Sequence, residues 1–305
     1  MSAQRWRGWG RALASTVLVV GSVANGVWAQ GGSAAPVRRA WTDAEVLSRP
    51  INPGREHQIA PWPAHRIIGN VYYVGTRNLG AFLVTTPAGH ILVNTTWEET
   101  LPLIQKSVES LGFAWRDIRI ILGSHAHPDH MEGDALAKEQ TGAEVMAMAE
   151  DVPLLVQIRP GGKPHPIDRV LQDGNTVELG NIKLTAHLAP GHTPGTTTWT
   201  LEAEEGGRTY HVVILGGATP TPRMDVTQRA IQKQFQRAFV RQRGLQCDVP
   251  LGPHVPMYEM EAKFARIRTG GPNPFVDPAG CQDELALSER TFYLLLRDQL
   301  AKAYR

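Results

Sequence analysis

Three imidazoles and one carboxylate stand within six residues in His125-Ala126-His127-Pro128-Asp129-His130. Imidazole nitrogen and carboxylate oxygen are the ligands that a borderline metal such as zinc takes, at about 2.0–2.2 Å. In extended backbone His125 and His127 point the same way, and a turn at Pro128 lets Asp129 and His130 face a second position, so one short loop can serve two ions. Any one of these histidines alone would read as a surface or core residue. The four together have little else that could satisfy them. Two more ligands must come from distant stretches, and the candidates are His192 in Pro190-Gly191-His192-Thr193-Pro194-Gly195 and His254 in Leu251-Gly252-Pro253-His254. Both sit where glycine and proline break the chain after strand-forming residues. The remaining histidines, His57, His65, His90, His165, His187 and His211, are weaker candidates. His187 and His211 fall inside expected strands as packed residues, and His165, in a Gly/Pro loop, is a candidate for the mouth of a cleft.

A loop that carries ligands needs a rigid frame. Ile118-Arg119-Ile120-Ile121-Leu122 is a short, mostly apolar run that ends at Gly123-Ser124, which places the histidine cluster at a strand end. Before it, residues 69–75, 81–85 and 90–93 form an antiparallel meander punctuated by Thr86-Pro87-Ala88-Gly89. Thr96 and Glu99 suggest a capping box, with Leu101, Ile104, Val108 and Leu111 at helical spacing behind it. A helix is expected from Gly133 to Gln140, a strand from Glu144 to Met148, and a helix near Glu150 to Gln157. The second half repeats the order, with strands near 176–179, 182–187, 196–201 and 209–215 and helices at about 227–241, 259–267 and 288–302. Two strand-then-helix halves suggest sheets packed face to face with helices outside.

The chain has 305 residues, of which 42 % are hydrophobic and 20 % charged, so a full-sized globular core is available. Arg5, Arg7 and Arg11, the apolar run Ala12–Val20 and the small residue Ala29 read as a secretory signal peptide over residues 1–29. Gly21, Ser22, Asn25 and Gly26 interrupt the run short of the ~20 residues that a membrane span requires. The expected compartment is the periplasm, with no membrane attachment after cleavage. Removing three arginines from a chain of net charge +2 leaves a mature protein near −1, which gives no reason to expect a nucleic-acid partner. Residues 30–65, rich in Pro, Gly and Ala, are expected to form an N-terminal arm with at most one short helix, and residues 66–305 the catalytic domain. Cys247 and Cys281 favour a disulfide in an oxidising compartment, the alternative being two separate thiols. No GxSxG elbow or Ser-x-x-Lys with Lys-Thr-Gly is present, which disfavours serine acyl transfer.

The loop Ser124–His130, the segment Gly191-His192-Thr193-Pro194-Gly195 and Pro253-His254 together resemble the metallo-β-lactamase superfamily, and within it subclass B3. The resemblance covers about residues 66 to 300. It implies an α/β fold, a four-layer αββα sandwich with the metals at one edge of the two sheets. It also implies two zinc ions per chain, the first on His125, His127 and His192 and the second on Asp129, His130 and His254. Cys247 and Cys281 lie where the subclass carries a disulfide. The implied activity is zinc-dependent hydrolysis of the β-lactam amide bond of penicillins, cephalosporins and carbapenems, which confers antibiotic resistance, by a monomer acting on a small-molecule substrate. Asp129 would be the catalytic residue that orients the attacking water, and Thr219 and Thr221 are candidates for binding the substrate carboxylate.

One departure has consequences. Much of the wider superfamily, including glyoxalase II and the lactonases, has a bridging Asp at the end of the strand that here runs Val212–Gly217, and the first two lactamase subclasses have a Cys there. This chain has Gly216, Gly217 and Ala218, where subclass B3 often has a Ser. The alternative activity is hydrolysis of another ester or lactone by an exported zinc enzyme. A non-catalytic zinc domain is disfavoured, because structural sites are closed by four protein ligands whereas this grouping gives three per metal.

Overall fold

The computed structural model describes residues 40–221 and 223–303. The signal-peptide reading and the first part of the expected arm lie outside them. The described residues from Trp41 onward form one compact unit. Its first sheet has seven strands in chain order: β1 (His65–Ile68), β2 (Val71–Tyr73), β3 (Phe82–Thr86), β4 (Gly89–Val93), β5 (Ile118–Leu122), β6 (Glu144–Met148) and β7 (Arg169–Leu171). The first four pair antiparallel, and β4 to β7 run parallel. The second sheet comprises β8 (Thr176–Leu179), β9 (Ile182–Leu188), β10 (Thr197–Glu205), β11 (Arg208–Ile214) and β12 (Val249–Leu251), in the order β12-β11-β10-β9-β8. Nine α-helices accompany them among the described residues: α1 (Asp43–Leu47), α2 (Arg55–Ile59), α3 (Leu101–Ser110), α4 (Pro128–Met131), α5 (Asp134–Thr141), α6 (Val152–Leu155), α7 (Arg229–Arg243), α8 (Met260–Ile267) and α9 (Pro278–Ala303).

Period-2 alternation divides the first sheet between two cores. Leu83, Leu92, Ile121 and Val145 pack with Leu101, Ile104 and Val108 of α3 and Ala137 of α5 on one face. Their neighbours Phe82, Val84, Ile91, Val93, Ile120, Leu122 and Met146 join Trp199, Leu201, Leu184 and Ala186 of the second sheet. The same large cluster takes in Phe235 and Phe239 of α7 and Phe292 of α9. Burial of each such side chain contributes about 1.5–3 kcal/mol. The result is two mixed sheets flanked by helices, an α/β sandwich. Among the described residues no helix is long and apolar enough to cross a membrane.

Several local expectations are corrected. The segment before β1 holds two short helices, α1 and α2, rather than at most one, and Thr42 and Glu45 close a capping box on α1. Thr96 caps nothing: its φ is +61°, its hydroxyl bonds that of Thr100 at 2.6 Å, and its N–H, with that of Thr95, donates to the His130 carbonyl. The backbone there is shaped to the histidine loop. Helix α9 begins ten residues before the expected start at Ser288, because Asp277 accepts the Gly280 N–H at 3.1 Å and Pro278 tolerates the first helical position. Strands β1, β7 and β12 are only three or four residues long and had no period to read. Cys247 and Cys281 are paired as a disulfide, with Cα atoms 6.6 Å apart, and tie the start of α9 to the segment entering β12.

Candidate metal centre

Strands β5, β9, β11 and β12 deliver their C-terminal ends to one rim. After β5 the chain runs through His125 and His127 into α4, whose start at Pro128 turns Asp129 and His130 away from the two preceding histidines. His192 follows β9, and His254 follows β12. The six side chains fall into two groups, His125–His127–His192 and Asp129–His130–His254, and within each the candidate ligand atoms all lie within 4.8 Å of one another. The groups adjoin, with the His125 and His130 ring centroids 4.3 Å apart.

Hydrogen bonds fix which nitrogen three of the rings present. His125 Nδ1 lies 2.6 Å from the Gly216 carbonyl, and His192 Nδ1 lies 2.6 Å from the Thr219 carbonyl. A carbonyl can only accept, so both rings donate from Nδ1 and turn an Nε2 lone pair inward. His254 Nδ1 lies 3.0 Å from Asn78 Oδ1; the amide nitrogen of Asn78 donates to the Ile51 carbonyl, so its oxygen is the atom that faces the ring. Outer partners of this kind orient metal-binding imidazoles. His125 Nε2 and both ring nitrogens of His130 are buried with no hydrogen-bond partner. An orphaned buried nitrogen is costly, and a metal ion is the group that satisfies it. The donor set therefore fits zinc.

Electrostatics favour the same state. Burial, followed by the nearby His130, His192 and His127, holds His125 well below the ordinary imidazole range. Burial with His127 and His192 does the same to His130. Burial, then His127, lowers His192 to about 4, and burial, then His130, lowers His254 to about 3. His127 is lowered by burial against the opposing pull of Asp129 and Asp151. All five rings are thus neutral at pH 7, the form that binds metal.

These shifts predict a pH dependence for the metal-free protein. An unfolded histidine takes up its proton near pH 6.5. Between that pH and the folded values, about 4 for His192 and about 3 for His254, the unfolded chain binds more protons. Stability is therefore full above pH 6.5 and is lost as the pH falls through this window. His65, His90 and His187, each lowered first by burial, act in the same sense. His165 opposes them: burial lowers it, but the hydrogen bond to and charge of Asp134 and the carbonyls of Met131 and Pro166 together raise it. Thermal melting of chelator-treated protein from pH 7.5 to 4.5 should show Tm falling steadily. A flat or rising Tm would contradict this assignment.

The other candidates lie elsewhere. His165 is buried beneath the loop, with Nε2 3.1 Å from the Met131 carbonyl and 3.3 Å from Asp134, so it lines no cleft mouth. The reason is Asp134, which gives the ring a buried ionic partner. His187 is half-buried and bonds Thr200 at 2.8 Å. Thr219 and Thr221 sit half-buried at the rim, and the recorded contact of Thr219 is made by its backbone carbonyl.

Sequence reasoning missed Asp151. It is 2 % exposed and accepts hydrogen bonds from Ala126 N–H at 2.8 Å, Thr193 Oγ1 at 2.7 Å and Gly195 N–H at 2.6 Å. It thereby joins the loops of His125 and His192. Gly195 passes so close to Asp151 that a Cβ would collide with its backbone. In sequence Asp151 looks like an ordinary helix-start residue before Val152-Pro153, and no local signal marks its reach. Asn78 and Gln58 were equally silent.

The metallo-beta-lactamase superfamily model matches residues 80–210. Among solved structures, the chain is similar to the FEZ-1 metallo-beta-lactamase from Legionella gormanii, with 38 % identity and a TM-score of 0.75 over 79 % of this chain and 97 % of that one. It is also similar to BJP-1, a subclass B3 metallo-beta-lactamase of Bradyrhizobium japonicum, with 32 % identity and a TM-score of 0.76 over 81 % and 98 %. A hydroxyacylglutathione hydrolase of Hyphomonas neptunium is 39 % identical over 75 residues, 25 % of this chain and 26 % of that protein. The chain spans between 26 % and 40 % of the length of the first such curated relatives. With the sandwich and the rim of six ligand-type side chains, these likenesses define the class: the chain belongs to the metallo-β-lactamase superfamily and is a metallo-hydrolase. Its structural neighbours are subclass B3 metallo-β-lactamases.

Proposed function

We propose that the protein is a two-zinc β-lactamase that hydrolyses the lactam amide bond of penicillins, cephalosporins and carbapenems. The observation that carries this reading is the end of β11. Gly217, at φ +135°, offers no side chain to the rim, and a Cβ there would stand 3.4 Å from the His192 ring and 3.6 Å from His125 Nδ1. Neither the carboxylate that the resemblance associates with thioester and lactone hydrolases nor the thiol of the first two lactamase subclasses is present at that point. The second ligand set is then Asp129, His130 and His254.

Zinc held by the two groups would lower the pKa of water to about 7 and polarise the carbonyl. The chain's own residues do the rest. Gly216, Thr219 and Asn78 hold the Nε2 atoms of His125, His192 and His254 inward. Asp129, whose side chain is 14 % exposed, can accept a hydrogen bond from the attacking water and so orient it. The oxygen of water bonds to the carbonyl carbon, the C–N bond breaks, and a proton from water passes to the leaving nitrogen. Thr219 and Thr221 are the proposed donors to the substrate carboxylate.

Nitrocefin and imipenem turnover should be abolished by a chelator and restored by zinc. The short matches to hydroxyacylglutathione hydrolases favour a second reading, thioester hydrolysis, so S-lactoylglutathione and a lactone belong in the same assay. Turnover of those two without β-lactam turnover would overturn the first reading. We also propose export to the periplasm as a monomer, with residues 1–29 removed; amino-terminal sequencing of protein from fractionated cells would test the cleavage.

A further inference from the structure

We infer that Gln58 is a positioning residue for Asp129, and that through it the segment before β1 sets the affinity of the second ligand group while leaving the first untouched. This rests on the reading that Asp129, His130 and His254 hold a metal. Gln58, on α2, is 4 % exposed, and its Nε2 lies 3.4 Å from Asp129 Oδ2. The orientation of the amide follows from chemistry. Trp97 Nε1, an atom that can only donate, lies 2.9 Å from Gln58 Oε1, so the amide oxygen must face the indole and the nitrogen must face Asp129. The same nitrogen lies 3.0 Å from Asn52 Oδ1, a second acceptor that agrees with this assignment. Trp97 is itself pinned: the Arg55 guanidinium stacks 3.8 Å from its ring centroid and pairs with Glu99.

Asp129 Oδ2 also faces His130 Nε2 at 3.5 Å and His254 Nε2 at 3.8 Å. A neutral amide donor fixes the rotation of this carboxylate without cancelling its charge, which a lysine or arginine in the same place would do. The same segment reaches the second group again through Asn78, which accepts from His254 and donates to the Ile51 carbonyl. The first group takes its orienting contacts from Gly216, Thr219 and, through the loops, Asp151, all outside this segment. The outer contacts of the two groups therefore come from separate parts of the chain, and only those of the second reach α2.

The test is stepwise zinc titration of the metal-free full-length protein against a competing chelator, for wild type, Gln58→Ala and Trp97→Phe. Gln58→Ala should weaken the second zinc by about 10- to 100-fold with the first unchanged. Trp97→Phe, which frees the amide to flip, should produce a smaller loss at the second zinc alone. Cobalt substitution gives an independent spectroscopic count of each step. If the wild type takes up two ions and both variants match it, or lose both ions equally, the inference fails while the two-metal reading stands. A wild type that takes up fewer than two overturns the two-metal reading and the inference together.

Discussion

Asp129→Asn should reduce β-lactam turnover by about 10²–10⁴-fold, the range expected when a positioned acid–base group is lost. Its loss of the second zinc should exceed the ~10–100-fold typical of an outer partner. The substitution keeps the shape and removes the charge. Asp129 Oδ2 is the acceptor toward which Gln58, His130 and His254 converge, and it belongs to the one anionic side chain among the six. An amide there offers one oxygen rather than two and no counter-charge to the ion. Kinetics with saturating zinc would separate the two effects: a kcat deficit that persists when the metal is restored belongs to water orientation, and one that vanishes belongs to metal loss. A variant with wild-type kcat and wild-type zinc affinity would remove Asp129 from both roles.

The second large effect is expected at Asp151, far from solvent. Asp151→Ala leaves the Ala126 and Gly195 N–H groups buried without their acceptor, and the Thr193 hydroxyl with Thr196 Oγ1 as its remaining partner. Each unsatisfied donor costs about 1–3 kcal/mol, so the sum is on the order of half the 5–15 kcal/mol that holds a typical domain folded. At about 2–4 °C per kcal/mol for a domain of this size, Tm should fall on the order of 10 °C. Because the three donors belong to the loops of His125 and His192, the first zinc should weaken with the fold, whereas the second should be affected less. Calorimetry with a zinc titration of the same sample would measure both. Asp151→Asn, which keeps one acceptor oxygen, should fall between. Wild-type Tm and zinc binding in Asp151→Ala would show that the carboxylate joins nothing of consequence.

Much of the site could be read before any coordinates, because its ligands are of rare type and densely spaced. His125, His127, Asp129 and His130 announce themselves within one loop, and His192 and His254 stand beside glycines and prolines at strand ends. The sheets were legible for a related reason. Runs such as Ile118–Leu122 and Phe82–Thr86 are mostly apolar or β-branched, and the helix Leu101–Ser110 carries its apolar face at helical spacing. Where the signal is three or four residues long, as in β1, β7 and β12, no period exists to detect. The Thr96 capping box failed because a tertiary demand, clasping the His130 carbonyl, outweighed a local preference.

By itself the sequence determined which side chains could bind metal, that a strand end would carry four of them, and that no carboxylate or thiol follows Ile214 and Leu215 to bridge the ions. Only the tertiary structure decided which ring nitrogen His125, His192 and His254 present, and that Gln58, Asn78 and Asp151 hold the ligands. The division has a physical cause. Ligand identity is a property of single residues, whereas orientation is set by hydrogen bonds that join positions 25 to 176 residues apart, such as Ala126 to Asp151 and His254 to Asn78, and no local pattern encodes them.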